Sequence, residues 1–391
     1  MHKNKKFNSK NIIRNIIDPW AGYKHITGIK ESKSSLLKNY SKINNLPLPP
    51  VISFKKKSEV IAIGVSTFLK LPLELQKKTH VVFRPTDLIR NAKTSLGLIS
   101  NSTLDLKIYN NVYKSIKNRS NNNFSYIEKI LKQITPKVLV ISSTIDPVQR
   151  LWVYWANKLS IKIICFQHGV FSSLSSPLVL ERNIVDFYFA LCKEQSNVIQ
   201  KIIPKKKHFY LFSKSKFKFS FLKSKKINIC LIGTDHERYG KKGKKNKKEV
   251  LKIYRELINI LNSKNKTNFN FFYKKHPSEY WSSNIDQIAS MINSKNIDKI
   301  DVFFGVASTK LLNISFNRQC AIQISSKNFM QDNYEKYGFC KTIDLNYIKK
   351  NGFNLFDNKQ VYLPCLKRNN ISKILFKILN SKIKKNKKNF H

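Results

Sequence analysis

Apolar residues in this chain gather in short unbroken runs, and between several of those runs they recur at helical spacing. Val60-Ile61-Ala62-Ile63-Gly64-Val65 is a continuous apolar run closed by a turn, the pattern of a parallel strand buried on both faces. Val81-Val82-Phe83 predicts a shorter strand, ended by Arg84-Pro85. Tyr126 to Ile134 has helical spacing, and Lys137 to Ser142 reads as the next strand. Asp146-Pro147 then opens a helix in the favoured order, cap first and proline in the first turn. Its apolar face carries Leu151, Trp152, Tyr154, Trp155 and Leu159. Ile161 to Phe166 is a further strand that ends at Gln167-His168-Gly169, and Asp186 to Leu191 and His208 to Phe212 predict two more.

The same alternation starts again at Ile227-Asn228-Ile229-Cys230-Leu231-Ile232, which runs into Gly233-Thr234. Lys241 to Lys248 reads as a solvated loop before a helix with Val250, Leu251, Tyr254, Leu257, Ile258 and Leu261 at i, i+3, i+4 spacing. Phe269 to Tyr273 is a strand that delivers His276-Pro277, Asp286 to Ile292 is helical, and Ile300 to Gly305 is a strand. Ser308-Thr309 opens a helix through Ile314, and Cys320 to Ile324 returns as a strand. Strands alternating with helices predict α/β architecture with parallel sheets. The expectation is two doubly wound, Rossmann-like domains in tandem, facing a cleft. Residues 1–56 form an irregular basic arm closed by Leu46-Pro47-Leu48-Pro49-Pro50, and 57–212 the first domain. Residues 213–226, rich in Lys, Ser and Phe, are the linker and 227–380 the second domain. Residues 381–391 are a basic tail, a terminal helix that frays.

Composition narrows the function classes. With 391 residues the chain is too long for one ordinary core, and 41% hydrophobic and 12% aromatic residues argue against disorder. A formal charge of +50 has two readings. One is a polyanionic partner, nucleic acid or an anionic membrane face. The other is A/T-rich coding, since Lys, Asn, Ile, Phe and Ser dominate, Gly (11) and Pro (12) are scarce, and the lysines are spread along the whole chain. The six cysteines include no C-x-x-C pair, and Cys165, Cys230 and Cys320 lie in strand-like runs, which predicts buried free thiols in a reducing compartment. The apolar piece Asn11 to Ile17 is short and carries Arg14, so it is not read as a signal peptide. No run approaches the ~20 apolar residues of a bilayer span. The expected location is the cytoplasm, with peripheral contact at the inner face of the plasma membrane.

Three signatures sit where strands end, the place at which an open α/β sheet presents its ligand groups. In Gln167-His168-Gly169, the glycine lets the chain turn and leaves the His168 imidazole at the mouth of the sheet as a candidate base. A satisfied turn histidine is the plainer alternative. In His276-Pro277, the proline biases His276 to an extended conformation and so points its ring. In Gly305-Val306-Ala307-Ser308-Thr309, the paired hydroxyls at a helix start suit an anion, or serve simply as a cap. Gly233-Thr234 is a further turn able to meet a phosphate, and Asp146 is an acidic candidate base on the loop after the neighbouring strand. There is no Walker A loop, no G-x-G-x-x-G and no H-E-x-x-H.

In order and placement, His276-Pro277 and Ser308-Thr309 resemble the HP and Ser/Thr motifs of bacterial GT-B glycosyltransferases of surface-polysaccharide synthesis, of the sialyltransferase and polysialyltransferase-like kind. Gln167-His168-Gly169 looks like the QHG element of related capsule and teichoic-acid transferases. The resemblance runs from about Lys137 to Ile324 and is carried by about ten residues. It departs from those sialyltransferases in lacking their acidic-acidic-Gly triplet, whose region His168-Gly169 occupies here. The resemblance implies a GT-B fold and a nucleotide-sugar donor, CMP-sialic acid or a similar CMP-sugar, as substrate. It implies a glycan or glycolipid acceptor and no obligatory metal or other cofactor. By the same resemblance His276, Pro277, Ser308, Thr309, Gly305, Gly233 and Thr234 hold the donor, Gln167 and Gly169 shape the turn, and His168 or Asp146 takes the acceptor proton. The competing readings are a CDP-glycerol-type glycerophosphotransferase on the same fold, a basic nucleic-acid-binding protein, and a non-catalytic GT-B-like factor of polysaccharide assembly or export. The lysine run Lys241 to Lys248 has none of the interleaved aromatics that single-strand nucleic-acid binding uses.

Overall fold

The computed structural model describes residues 57–83, 102–104, 125–142, 147–167, 169, 185–200, 208–219, 226–234, 240–264, 269–276, 289–291, 294–306, 308, 310–327, 329, 332–351 and 361–381. The basic arm 1–56, Asp146, His168, Pro277, Thr309 and residues 382–391 lie outside them.

The first half supplies β1 (Val60–Ile63), α1 (Val65–Phe68), α2 (Leu73–Gln76), β2 (Thr79–Phe83), β3 (Ser102–Leu104) and α3 (Ser125–Ile134). It continues with β4 (Val138–Ile141), α4 (Pro147–Lys158), β5 (Lys162–Phe166), β6 (Phe187–Ala190), α5 (Lys193–Ile199) and β7 (His208–Tyr210). The strands form one parallel sheet in the order β3-β2-β1-β4-β5-β6-β7. Alternation explains why its strands read as unbroken apolar runs. Ile61, Ile63, Leu139 and Ile141 pack on one face with Ile127, Leu131 and Trp152. Val60, Ala62, Val138 and Val140 pack on the other, so both faces need apolar cover.

The second half holds β9 (Ile227–Ile232), α6 (Gly240–Lys264), β10 (Phe269–Lys274), β11 (Ser290–Met291), a 3-10 turn (Ser294–Lys299) and β12 (Val302–Gly305). After these come α7 (Lys310–Phe316), β13 (Cys320–Ser325), β14 (Lys341–Asp344) and α8 (Leu345–Asn351). Its sheet is parallel in the order β11-β10-β9-β12-β13-β14. The two halves share a core: Phe189, Leu191 and Leu211 of the first belong to the same buried cluster as Phe303, Leu311, Tyr334 and Phe339 of the second.

Four segments differ from the sequence reading. The stretch read as linker contains strand β8 (Phe212–Phe219), which pairs antiparallel with β15 (Val361–Arg368). Its signal was hidden because lysines fill the solvent side of a half-exposed strand, while Phe217 and Phe219 alternate with them. Lys241 to Lys248 is the first part of the 25-residue helix α6 and not a loop, since lysine is a good helix former. Within the stretch read as helical from Asp286, Ser290 and Met291 form β11, which lies beside β10. Among the described residues the last helix is α9 (Ser372–Asn380), which the sequence reading did not single out and which ends at the extended Ser381; the rest of the stretch read as a terminal helix lies outside the described residues.

α9 returns to the first half. Lys162, buried in β5, donates from Nζ to the carbonyls of Ile378 (2.5 Å), Leu379 (3.2 Å) and Ser381 (2.5 Å). A cation thus satisfies carbonyls at a helix C-terminus that have no partner within the helix. All six cysteines are free and buried.

His80 in β2 is 2% exposed, and burial pushes its imidazole from 6.5 down to about 4. The neutral ring is the one the fold accepts, so the unfolded chain takes the proton first as pH falls. Stability is therefore full above pH 6.5 and is lost as pH drops through 4, by about 3 kcal/mol for this group. Urea melts at a series of pH values are expected to give a smaller acid-side loss for His80→Gln than for the wild type.

Candidate functional site

In the second sheet the chain order reverses between β9 and β12, and the carboxyl ends of β10, β9 and β12 lie side by side. This is the switch point at which doubly wound sheets hold ligands. Gly233 follows β9 and donates its N–H to the Lys274 carbonyl at 2.8 Å, so the ladder runs to the edge of the sheet. The Tyr254 hydroxyl of α6 donates to the Ile232 carbonyl at 2.6 Å and pins the end of β9. Thr234 is next and is buried. Lys274-Lys275-His276 leaves the end of β10, with His276 half-buried. Gly305 closes β12, where an added Cβ would stand 2.8 Å from the Leu311 Cδ1 atom, so glycine lets α7 pack against the strand end. Ser308 is buried; its Oγ accepts the Lys310 N–H at 3.4 Å and its carbonyl accepts the Leu311 N–H at 3.1 Å. Ser308 thus forms the turn that leads into α7, which starts at Lys310, two residues later than the sequence pattern suggests.

A residue missed in the sequence holds this edge. Gln323 of β13 stands opposite Gly305 and is completely buried. Its Nε2 donates to the carbonyls of Val306 (3.0 Å) and Asp332 (2.8 Å). Its Oε1 accepts the Tyr334 N–H (2.8 Å) and the Thr342 hydroxyl (2.9 Å). The amide therefore fixes the loop that leaves β12 to the turn that follows β13. The available signal was one amide in the apolar run Cys320-Ala321-Ile322-Gln323-Ile324, because a polar group in a buried strand must find partners.

The first sheet carries a matching device. Gln167, read as part of a turn, is buried at the end of β5. Its Nε2 donates to the Gly169 carbonyl (2.8 Å) and to Oε1 of Gln195 (2.6 Å), and its Oε1 accepts the Leu191 N–H (2.8 Å). Its carbonyl accepts from Lys70 Nζ at 3.1 Å, and Arg368 Nη2 in turn donates to the Lys70 carbonyl at 3.1 Å. Gln167 and Gly169, on either side of position 168, are thus tied to each other and to the β5–β6 edge. β4 and β5 are hydrogen-bonded neighbours, so the segments read as carrying Asp146 and His168 leave adjacent strands. Those two residues themselves lie outside the described residues, as do Pro277 and Thr309, so only Gly233, Thr234, His276, Gly305 and Ser308 of the donor set are placed. Among the described residues, no His, Cys, Asp and Glu side chains gather in a group able to hold a metal ion.

Two parallel sheets, each with a switch point at its carboxyl edge, define a GT-B-like α/β protein. No protein-family model and no curated protein matches the chain. Among solved structures, UDP-GlcNAc 2-epimerase from Neisseria meningitidis, bound to UDP-GlcNAc, is similar over 84% of this chain and 95% of its own, with 12% identity and a TM-score of 0.50. That likeness is one of fold. A putative UDP-N-acetylglucosamine 2-epimerase from Listeria monocytogenes matches over 78% of this chain and 89% of its own, with 12% identity and a TM-score of 0.47. The lipopolysaccharide outer core galactosyltransferase WaaB, in its apo form, matches over 75% and 87%, with 11% identity and a TM-score of 0.42.

Proposed function

We propose that this chain transfers a sugar from a nucleotide-linked donor to a glycan or glycolipid acceptor, with a CMP-sugar of the CMP-sialic acid kind as donor. The observation that carries the reading is the meeting of Gly233-Thr234, His276 and Gly305-to-Ser308 at the carboxyl edge of three adjacent strands. Hydroxyls, an imidazole and lysines at one switch point suit a phosphate-bearing ligand. The fold also occurs in an epimerase whose solved structure contains UDP-GlcNAc, which is in keeping with a nucleotide-sugar at this edge. In this reading Pro277 orients His276, and Thr309 adds a second hydroxyl beside Ser308. His168, or Asp146, removes the acceptor proton from the first-sheet side. The reaction needs no resident metal, because side chains supply the positive charge. No helix among the described residues is long and apolar enough to cross a membrane. The lysine excess would steer anionic donor and acceptor and allow contact with an anionic membrane face from the cytoplasmic side.

Thermal melting with CMP, CDP, UDP, GDP and ADP tests the reading. A ligand present at 100 times its Kd adds roughly 2.7 kcal/mol to the folded state. The expected result is a raised Tm with CMP, or with CMP and CDP, that is lost in His276→Ala. A shift with UDP alone would move the donor to a uridine nucleotide. No shift with any nucleotide, beside salt-sensitive RNA binding, would overturn the proposal.

A further inference from the structure

α6 buries one face and gives the other to solvent. Val250, Leu251, Tyr254, Leu257, Ile258 and Leu261 lie in the core of the second half with Ile229, Leu231 and Val302. The exposed face carries Lys245, Lys248, Lys252 and Arg255, and continues only with asparagine and serine. The four cations recur at steps of three, four and three residues, which sets them on one line along the helix. At 1.5 Å per residue that line is about 15 Å long. The helical register carries it on to positions 244 and 241, both lysine. Ion pairs engage Lys78, Lys132, Lys137, Lys214, Lys341 and Lys349, but none of these four side chains has one among the described residues. The two acids of α6 do not neutralise the line. Glu249 and Glu256 are half-buried beside it, and Glu256 holds Lys349 of α8 at 3.0 Å.

We propose that the solvent face of α6 docks on an anionic lipid bilayer and is held there by charge alone. The complementarity is one of sign and shape. A straight row of cations on a convex helix meets a flat anionic surface along its whole length. A single nucleic-acid strand needs a groove and rings on which its bases stack, and the exposed face of α6 has no aromatic side chain. The apolar face of α6 is already used in the core, so the helix cannot sink into the acyl region as a free amphipathic helix does. The contact is therefore superficial and released by salt. It stands apart from the transfer reaction proposed above, because it does not depend on what the sheet edge binds.

Sedimentation of the full chain with vesicles tests this, with vesicles of equal parts phosphatidylcholine and phosphatidylglycerol and with vesicles of phosphatidylcholine alone. Wild type is expected to bind only the anionic vesicles at about 0.1 M salt and to leave them at about 1 M, where the Debye length has fallen to about 3 Å. Each cation near an anionic surface strengthens partition about fivefold, so the chain with Lys245→Gln, Lys248→Gln, Lys252→Gln and Arg255→Gln should bind about a hundredfold more weakly. Its melting temperature should match wild type, since glutamine is a good helix former. Lys77→Gln, Lys129→Gln, Lys193→Gln and Lys373→Gln together remove the same charge from exposed positions on other elements. That chain should stay within about threefold of wild type, because charges beyond a Debye length of the surface are screened. Equal weakening in the two variants would assign the binding to overall charge and overturn the inference. So would binding to phosphatidylcholine alone, or no binding by wild type. An affinity for single-stranded RNA that needs the α6 cations, without vesicle binding, would overturn it in favour of nucleic acid. The nucleotide-dependent rise in Tm is unaffected by any of these outcomes and tests the transfer reading separately.

Discussion

Replacing Gln323 with leucine is expected to lower the stability of the chain by about 3–5 kcal/mol, a large share of what a domain possesses. The side chain makes four hydrogen bonds in a site closed to water. Leucine has nearly the same bulk, so the loss is one of partners rather than of volume. It strands the Tyr334 N–H and the carbonyls of Val306 and Asp332, and each buried group without a partner costs about 1–3 kcal/mol. Thr342→Val removes one of the four bonds, together with the Glu335 N–H bond to the same hydroxyl (3.3 Å), and should cost about 1–2 kcal/mol, well short of the loss in Gln323→Leu. Chemical denaturation of the three proteins reads the difference. The loop after β12 should also loosen, so the nucleotide-dependent rise in Tm is expected to shrink in Gln323→Leu even where the protein remains folded.

Gln167→Leu is the counterpart in the first sheet and is expected to cost about 3–4 kcal/mol. The Leu191 N–H loses its acceptor, Gln195 loses its amide partner, and the Gly169 carbonyl is released. Hydrogen exchange at the Leu191 amide should rise by more than that of β4, because the break is local to the β5–β6 edge. The functional consequence differs from that of Gln323→Leu. Nucleotide stabilisation of the melt should persist, since the second sheet is untouched, while, on the proposed function, transfer to an acceptor should fall as Gln167 and Gly169 lose their anchor. A Gln167→Leu chain that loses nucleotide stabilisation while keeping a folded second half would contradict this division of labour.

The strands that form the two sheet centres were legible because burial on both faces leaves little room for polar residues, the half-buried Asn228 near the start of β9 being the exception. Val60–Ile63, Val138–Ile141, Ile227–Ile232 and Val302–Gly305 are of this kind. What escaped was structure with one face in water. β8 and the first turns of α6 hide behind lysine, and β14, α8, β15 and α9 alternate polar with apolar residues too briefly to stand out. The residues proposed to hold the donor were legible one by one as strand ends. Their meeting at one edge was not, because it depends on β9 lying between β10 and β12, an order that no local pattern encodes. Gln323 was hidden, and Gln167 was read only as part of a turn, for another reason. A single amide beside a run of apolar residues looks like a strand reaching the surface, and only the completed sheets reveal it as an internal brace.

The hold of Lys162 on α9 has a consequence for how the molecule is made. The Ile378 carbonyl that Lys162 grips lies 216 residues further along the chain. At a ribosomal pace of about 5–20 residues per second, the first sheet waits roughly ten seconds or longer before its partner helix exists. During that interval the Lys162 ammonium and the apolar surface that Leu375, Ile378 and Leu379 later cover lack their final cover. Docking of α9 is therefore expected to be the step that ends this exposure, so a chain truncated before Ser372 should expose more apolar surface than the full chain.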